Sequence, residues 1–227
     1  NELAVLPLLI STLDDERNDV FIHWDAKMHE VPDVTMKRAG LYVVQDRVDV
    51  RWGDFSVVEA EYALFEDATR EGHYAYYHLM SGVDMPLKSQ DEIHDFFDAH
   101  ADKEFIGYSH YDGWQEEVTR KMRWHLFPQH FKKEDKWSLR AIVRSAFCRV
   151  QSLLGIHRKT DMELRKGTQW ISVTDAFVRH MIERKDEVCR LFTHTFCSDE
   201  IFAQTLCWNS PFRANIFAID DEGRGCM

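Results

Sequence analysis

Two adjacent carboxylates, Asp199 and Glu200, open the apolar and aromatic-rich segment CSDEIFAQTLCWNSPF at residues 197–212. A carboxylate in such a segment can act as a general base, which takes the proton of a reacting hydroxyl group. The structural alternative is capping, because Ser198 is a favoured N-cap residue and the helix dipole stabilises acids in a first turn. The segment alone is compatible with either function for both acids.

Two more candidate groups follow the first two predicted strands. Asp25 ends FIHWD at residues 21–25, where its carboxylate could accept hydrogen bonds from a ribose hydroxyl or a uracil N–H. Capping of the next turn explains Asp25 equally well. Arg47 and Trp52 belong to the loop RVDVRWGDFS at residues 47–56, where they could clamp or stack a base. Taken by itself, that loop is better explained as one anchored by a buried tryptophan.

Asp84 stands at the bend of SGVDMPL, residues 81–87, which follows the third predicted strand. Ser81 and Gly82 turn the chain tightly, and Pro86 prevents a helix from forming. An aspartate at this bend could contact a sugar or assist a metal ion. The alternative is an Asx-turn that only holds the loop.

Strand-like and helix-like segments alternate along the chain. Strands are predicted at 20–25, 40–44, 74–80, 104–108 and 168–174. Helices are predicted at 3–13, between Gly53 and Gly72, across most of 115–154, at 175–183, at about 186–195 and within 197–208. One more helix is predicted to begin at the capping box of Ser89 and Glu92. This order predicts an α/β fold with a mostly parallel central sheet flanked by helices and with a helical insertion. Ligands bind beyond the carboxyl ends of the strands in such sheets, which directs attention to residues 23–25, 47–53 and 81–84.

Several common functional signatures are absent from the sequence. There is no GxGxxG after a strand, no GxxxxGK[ST] and no GxSxG, so dinucleotide, P-loop and hydrolase-elbow sites are not expected. Five cysteines without a CxxC pair indicate reduced thiols, and the twelve histidines form no HxH or HExxH metal motif. The net charge of −11 and the lack of consecutive basic residues argue against nucleic acid and against an anionic membrane surface. No apolar run of transmembrane length and no signal peptide is present.

Four segments in register carry a resemblance to a known family. HLMSGVDMPLKSQDEIHDFF, GTQWISVTDAFVRHM, SDEIFAQTLCWNSPF and RWGDFSVVEAE resemble the core-2/I-branching β-1,6-N-acetylglucosaminyltransferase family, which includes peptide O-xylosyltransferases. The match covers about residues 20–212. It implies a GT-A-type fold in one domain, with a nucleotide-sugar half at about 1–108, a helical insertion at 109–167 and an acceptor and catalytic half at 168–227.

The resemblance also implies an inverting transfer from a UDP-sugar to a glycan hydroxyl without a metal or other cofactor. The single aspartate of GVDM, in place of a DxD motif, agrees with metal independence. Glu200 aligns with the catalytic base of the family, and Trp170 aligns with a position that lines the acceptor pocket. A buried core tryptophan is the alternative for Trp170.

Further binding roles follow the same resemblance. Asp25, Arg47 and Trp52 are expected near the nucleotide, and Asp84, Trp170, Arg123 and Asp199 near the sugars. Arg120, Lys121 and Arg123 lie where the family carries basic acceptor-binding residues. Asp199 is also explained by the first helical turn, so Glu200 is the stronger candidate for chemistry.

Two departures from the family pattern concern the two ends of the chain. The basic residues that neutralise the diphosphate in the family, C-terminal to NSPF, are absent before Met227, and the first strand is also absent. A truncated chain is therefore expected. Because the anchor and disulfides of eukaryotic Golgi members are not seen, a bacterial enzyme of the cytoplasm or of the membrane periphery is expected. The rival hypotheses are a metal-dependent transferase that uses Asp84 and a non-catalytic module that binds a glycan or a nucleotide.

Overall fold

A computed structural model gives the fold of the chain and describes residues 5–29, 32–125, 139–156 and 158–219. Within these ranges the helices are α1 (Leu6–Leu13), α2 (Ser56–Glu71), α3 (Gln90–Ala99), α4 (Trp114–Lys121), α5 (Leu139–Leu153), α6 (Asp175–Glu183), α7 (Lys185–Phe192) and α8 (Phe202–Trp208). The strands are β1 (Asp19–Ile22), β2 (Gly40–Val43), β3 (Tyr76–His78), β4 (Phe105–Ile106) and β5 (Ile171–Thr174). Two 3₁₀-helices span Ser198–Glu200 and Pro211–Asn215.

The described strands form two sheets. β1 and β2 pair in parallel, with Asp19 opposite Gly40 and Ile22 opposite Val43. β3, β5 and β4 form a three-stranded sheet in that order, in which β5 is antiparallel to both neighbours. The predicted α/β class is confirmed.

The sequence pattern predicts a mostly parallel sheet, but the three-stranded sheet is antiparallel, and the position of β5 is the reason. β3 and β4 run in the same direction, as the strand–helix–strand order β3–α3–β4 requires for a crossover connection. They are not neighbours, however, because β5 lies between them in the opposite direction. The alternation of elements along the sequence fixes the direction of β3 and β4 but carries no signal for the later strand that separates them.

One large hydrophobic core joins the antiparallel sheet to helices α2, α6, α7 and α8. Val58, Val173 and Phe177 are completely buried there, and the Tyr62 hydroxyl donates to the carbonyl oxygen of Met181 at 3.1 Å. A smaller cluster built on Leu6, Ile10 and Trp24 packs beside the parallel sheet. None of the described helices is both long enough and apolar enough to cross a bilayer.

The predicted capping box at α3 is confirmed. Ser89 Oγ accepts from the backbone N–H of Glu92 at 3.3 Å, and the backbone N–H of Ser89 donates to Glu92 Oε2 at 3.1 Å. The predicted helix at 175–183 matches α6, whose first turn is capped by the Thr174 hydroxyl. The predicted helical stretch 115–154 contains α4 and α5, and its residues 126–138 lie outside the described residues. The three-part division of the chain stays a prediction.

The predicted helix start at Ser198 is wrong. Cys197 adopts a left-handed conformation with φ of 50°, and residues 198–200 form a 3₁₀-turn closed by the Ile201 N–H on the Ser198 carbonyl. α8 begins only at Phe202. The Ser198 hydroxyl is buried without a hydrogen-bond partner among the described residues, so it caps nothing. Neither Asp199 nor Glu200 therefore lies in the first turn of an α-helix.

Candidate active site

A cavity of about 470 Å³ opens beside the 3₁₀-turn that carries Asp199 and Glu200. Its wall is made by these two acids and by two chain segments, 108–111 after β4 and 166–170 before β5. Trp170 is the third sequence-predicted site residue in this wall. The structure thus brings Glu200, Asp199 and Trp170 together around one space.

Gly167 sets the geometry of the wall because three chain segments meet at its backbone. The Gly167 N–H donates to the Glu200 carbonyl at 2.9 Å, and the neighbouring Lys166 carbonyl accepts from Ser109 at 2.8 Å. A Cβ atom at position 167 would lie 1.7 Å from the carbonyl oxygen of Gly107. Only glycine allows this approach of the two backbones.

Two lysines with little exposed side-chain surface lie against one oxygen of the Glu200 carboxylate. Lys121 Nζ is in direct contact with Glu200 Oε2, and Lys166 Nζ lies 3.3 Å from the same oxygen. The side chains of Lys121 and Lys166 are only 7% and 12% exposed, whereas that of Glu200 is 33% exposed. Glu200 Oε1 has no hydrogen-bond partner among the described residues. The charged groups next to this carboxylate are therefore two ammonium groups and not the N-terminus of an α-helix.

Lys121 bridges Glu200 to a second acid on its own helix. Burial opposes the positive charge of Lys121, but its contacts with Glu200 and Glu117 outweigh burial and raise the pKa of the ammonium group. Lys121 Nζ lies 3.2 Å from Glu117 Oε1, which is one helical turn away. The Tyr111 hydroxyl donates to Glu117 Oε2. Glu117, Lys121, Lys166 and Glu200 form a lysine–carboxylate cluster with two charges of each sign.

Asp199 faces a different environment from that of Glu200. Burial raises the pKa of Asp199 to about 6, and its Oδ1 atom is buried without a hydrogen-bond partner among the described residues. Glu61 of α2 is 3% exposed, and burial and the nearby Asp199 raise the pKa of its carboxyl well above the usual value. Gln169 Nε2 donates to Glu61 Oε1 at 2.7 Å. Asp199 in the cavity wall and Glu61 are thus two buried carboxyl groups whose pKa values are both raised.

The predicted nucleotide-binding residues lie at the ends of β1 and β2, in the loops that follow. The guanidinium group of Arg47 donates to the carbonyls of Trp24 at 3.0 Å, Asp25 at 2.6 Å and Met28 at 2.6 Å, so it ties the two loops together. The Asp25 carboxylate accepts from the backbone N–H of Lys27 at 2.9 Å and from its Nζ at 2.8 Å. Arg47 is thus a loop anchor, and Asp25 makes the turn expected of the structural alternative.

The Trp52 loop is joined directly to the segment that carries Glu200. Trp52 is 51% exposed and packs edge-on against Phe196 with ring centroids 5.5 Å apart, so it is not the buried anchor of the alternative explanation. The N–H of Cys197 donates to the carbonyl of Gly53 at 3.0 Å. An exposed aromatic face is therefore held next to the 3₁₀-turn.

Asp84 and Arg123 do not line this cavity. Asp84 Oδ2 accepts from the backbone N–H of Ser81 at 2.7 Å, so Asp84 holds its own loop, although the bond runs back to residue 81 and is not that of the predicted Asx-turn. Arg123 Nη2 donates to Ser152 Oγ of α5 at 3.1 Å. In the part of the chain that the structure describes, no group of three or more histidine, cysteine or acidic side chains is placed to hold a metal ion.

Sequence reasoning missed Lys166, Glu117, Glu61 and Gln169 as parts of the site. Glu61 leaves a signal, since it falls on the apolar stripe of α2 three residues after the buried Val58. A carboxyl group at a buried position needs a hydrogen-bond or ion-pair partner, and that requirement could have identified Glu61 as a candidate site residue. Lys166 and Gln169 flank a short loop, and only the fold brings this loop to Glu200.

Comparison with known families assigns the chain. The family model of the Core-2/I-Branching enzyme matches residues 1–220, which is nearly the whole chain. A comparison with curated proteins gives no match. The family match agrees with the resemblance of the four sequence segments. The chain therefore belongs to the Core-2/I-Branching enzyme family, a family of glycosyltransferases.

Proposed function

We propose that the chain catalyses a metal-independent, inverting transfer of N-acetylglucosamine or xylose from a UDP-sugar to a hydroxyl group of a glycan. Glu200 is the general base. The observation that carries the proposal is the asymmetry of its carboxylate. Oε2 is held by Lys121 and Lys166, while Oε1 has no partner among the described residues and belongs to a side chain in the cavity wall.

The reaction is a single displacement. The acceptor hydroxyl oxygen forms a bond to the anomeric carbon of the donor as the bond from that carbon to UDP breaks. The hydroxyl proton passes to Glu200 Oε1, and UDP leaves with the electron pair of the broken bond. One displacement inverts the anomeric configuration, so the chemistry requires one base and no covalent intermediate on the protein.

The two lysines position this base, because both contact Oε2 and leave Oε1 for the acceptor hydroxyl. Proton transfer to Oε1 is favourable in the transition state because the acceptor hydroxyl becomes far more acidic as it bonds to the anomeric carbon. Once Glu200 is protonated, the lysine–carboxylate cluster carries a net charge of +1, which favours the developing negative charge of the departing UDP.

Aromatic residues supply the two binding faces in this proposal. Trp170 is 37% exposed in the cavity wall and offers a flat apolar surface to a sugar ring of the acceptor. Trp52 is the surface on which the uracil base stacks. Arg47 contributes by fixing the loops at the nucleotide side, and Asp25 offers its remaining lone pairs to the nucleoside.

The test is a UDP-release assay with UDP-N-acetylglucosamine, UDP-xylose, UDP-galactose and UDP-glucose, each with and without EDTA. Glu200→Gln should lower turnover by roughly a hundredfold to ten-thousandfold, which is the usual contribution of a general base. Glu183→Gln, at an exposed position of α6, is the matched control and should keep wild-type turnover. Unchanged turnover of Glu200→Gln would exclude Glu200 as the base.

Two further outcomes of the same assay decide the other parts of the proposal. Loss of UDP release in EDTA would contradict metal independence. UDP release from no donor, together with measurable UDP binding, would replace the transferase proposal by a nucleotide-binding module.

A further inference from the structure

Helix α5 is attached to the rest of the protein through polar contacts. The Gln151 side chain makes two hydrogen bonds to the backbone of Trp124, accepting from its N–H at 2.9 Å and donating to its carbonyl at 2.8 Å. Ser152 Oγ accepts from Arg123 at 3.1 Å. Gln151 and Ala141 are the buried positions of the helix. The side of α5 that faces the protein is thus short of the apolar residues that normally hold a helix in place.

The opposite side of α5 is apolar and faces outward. At 100° per residue its large aliphatic side chains fall on one face of the helix. They are between 41% and 85% exposed, and none of the described residues covers them. They are Leu139, Ile142, Val143, Val150 and Leu153, together with Leu154 directly after the helix. A surface helix of a soluble protein normally has the reverse arrangement, so this face is expected to contact an apolar phase.

The charges around this face are of one sign. Arg140 and Arg149 are exposed and lie about 100° and 80° from the centre of the apolar face, one on each side. No aspartate or glutamate occurs from residue 136 to residue 160, although the chain as a whole carries a net charge of −11. The lack of consecutive basic residues therefore does not exclude an anionic membrane surface. Residues that share one face of a helix are separated by several positions in the sequence.

We propose that α5 is a docking helix for an anionic lipid membrane surface. Its apolar face enters the boundary between the headgroups and the acyl chains, and Arg140 and Arg149 contact the lipid phosphates from the two flanks. A helix of 15 residues is only about 22 Å long, so it lies in the plane of the interface and does not span the bilayer. The proposal is independent of the transfer reaction.

Vesicle sedimentation with the purified full chain tests the proposal. The chain should bind vesicles of phosphatidylcholine with about one third phosphatidylglycerol, and it should bind pure phosphatidylcholine vesicles at least about tenfold more weakly. Raising NaCl from about 0.1 M to about 0.5 M halves the screening length and should weaken binding to the anionic vesicles. Absence of binding to the anionic vesicles at low salt overturns the proposal.

Matched variants show whether α5 is the contact surface. Leu153→Ser should weaken vesicle binding about fivefold or more, because an 85% exposed aliphatic side chain no longer enters the interface. Leu87→Ser is the control, since Leu87 is 96% exposed outside α5, and it should bind like the wild type. Arg140→Gln combined with Arg149→Gln should weaken binding by about 25-fold, at roughly fivefold for each arginine. Equal effects of the two serine variants would contradict docking through α5.

Two measurements distinguish a membrane from other partners of this face. Light scattering reports a second copy of the chain, and a dimer that Leu153→Ser dissociates would overturn the membrane assignment. Thermal unfolding shows whether another segment of the same chain covers the apolar face of α5, because Leu153→Ser would then destabilise the fold. The proposal requires the midpoints of Leu153→Ser and Leu87→Ser to agree, and a selective decrease for Leu153→Ser would overturn it.

Discussion

The ammonium group of Lys121 is almost completely removed from solvent and directly contacts the carboxylate of Glu200. Replacement of Lys121 by methionine keeps much of the side-chain volume but leaves Glu200 and Glu117 with one lysine between them. Because uncompensated charges at buried positions are costly, we expect the free energy of unfolding to fall by roughly 2 kcal/mol or more. Urea denaturation of wild type and variant measures the change.

Lys88→Met is the control for this effect. Lys88 also contacts a carboxylate, Glu92 at 3.0 Å, but its side chain is 68% exposed. Exposed ion pairs contribute only about 0–1 kcal/mol, so this variant should unfold close to the wild type. Equal stability of the Lys121 and Lys88 variants would show that the buried contact with Glu200 does not stabilise the fold.

Gly167→Ala should disrupt the cavity wall. The added Cβ would lie 1.7 Å from the carbonyl oxygen of Gly107, which is backbone and cannot rotate away. We expect a loss of roughly 2 kcal/mol or more in unfolding free energy, since two chain segments must separate. Gly82→Ala is the matched control, because a Cβ there meets no atom within 4 Å, and it should change stability by less than about 0.5 kcal/mol. Similar unfolding curves for the two alanine variants would contradict the close approach.

Local sequence signals predicted the elements of the fold well but not their arrangement. The capping box of Ser89 and Glu92 and the helix at 175–183 were predicted because caps and apolar periodicity are local. The insertion of β5 between β3 and β4 depends on pairing between residues 65 to 98 positions apart. No pattern within either segment specifies that pairing.

The site could be predicted only where a motif carried it. Glu200, Asp199 and Trp170 were located through the family segments, and the structure places them around one cavity. The predicted helix start at Ser198 was nevertheless wrong, because Cys197 turns the chain into a 3₁₀-helix, and Lys121 and Lys166 are the charged groups next to Glu200. A lysine 79 positions away in sequence leaves no local sign that it will contact this acid.

The stability of the protein should decrease as pH rises through the titration of Asp199. Burial raises the pKa of Asp199 from 3.8 to about 6, so folding favours its protonated form. The stabilisation is complete below about pH 4 and is lost as pH rises through about 6, which amounts to on the order of 2 to 3 kcal/mol. Asp199→Asn does not titrate, so its unfolding free energy relative to the wild type should increase between pH 4.5 and pH 8.

Urea denaturation at a series of pH values measures this difference, and Asp98→Asn provides the control. Asp98 is exposed on α3, so its replacement should leave the pH dependence of the wild type in place. Glu61 contributes in the same direction as Asp199, since burial raises its pKa as well. A constant difference between Asp199→Asn and wild type across this pH range would show that Asp199 does not titrate there.

Alanine substitutions of Trp170 and Trp52 should weaken the binding of different substrates. Trp170 is in the cavity wall and is assigned to the acceptor, whereas Trp52 is on the loop joined to Cys197 and is assigned to the uracil base. Loss of stacking on an aromatic ring costs about 1–3 kcal/mol, so each alanine variant should lose about fivefold or more in affinity for its own substrate. Calorimetric titration with UDP provides a readout that does not depend on turnover. Trp52→Ala should weaken UDP binding, Trp170→Ala should leave it within about twofold of wild type, and the reverse result would exchange the two assignments.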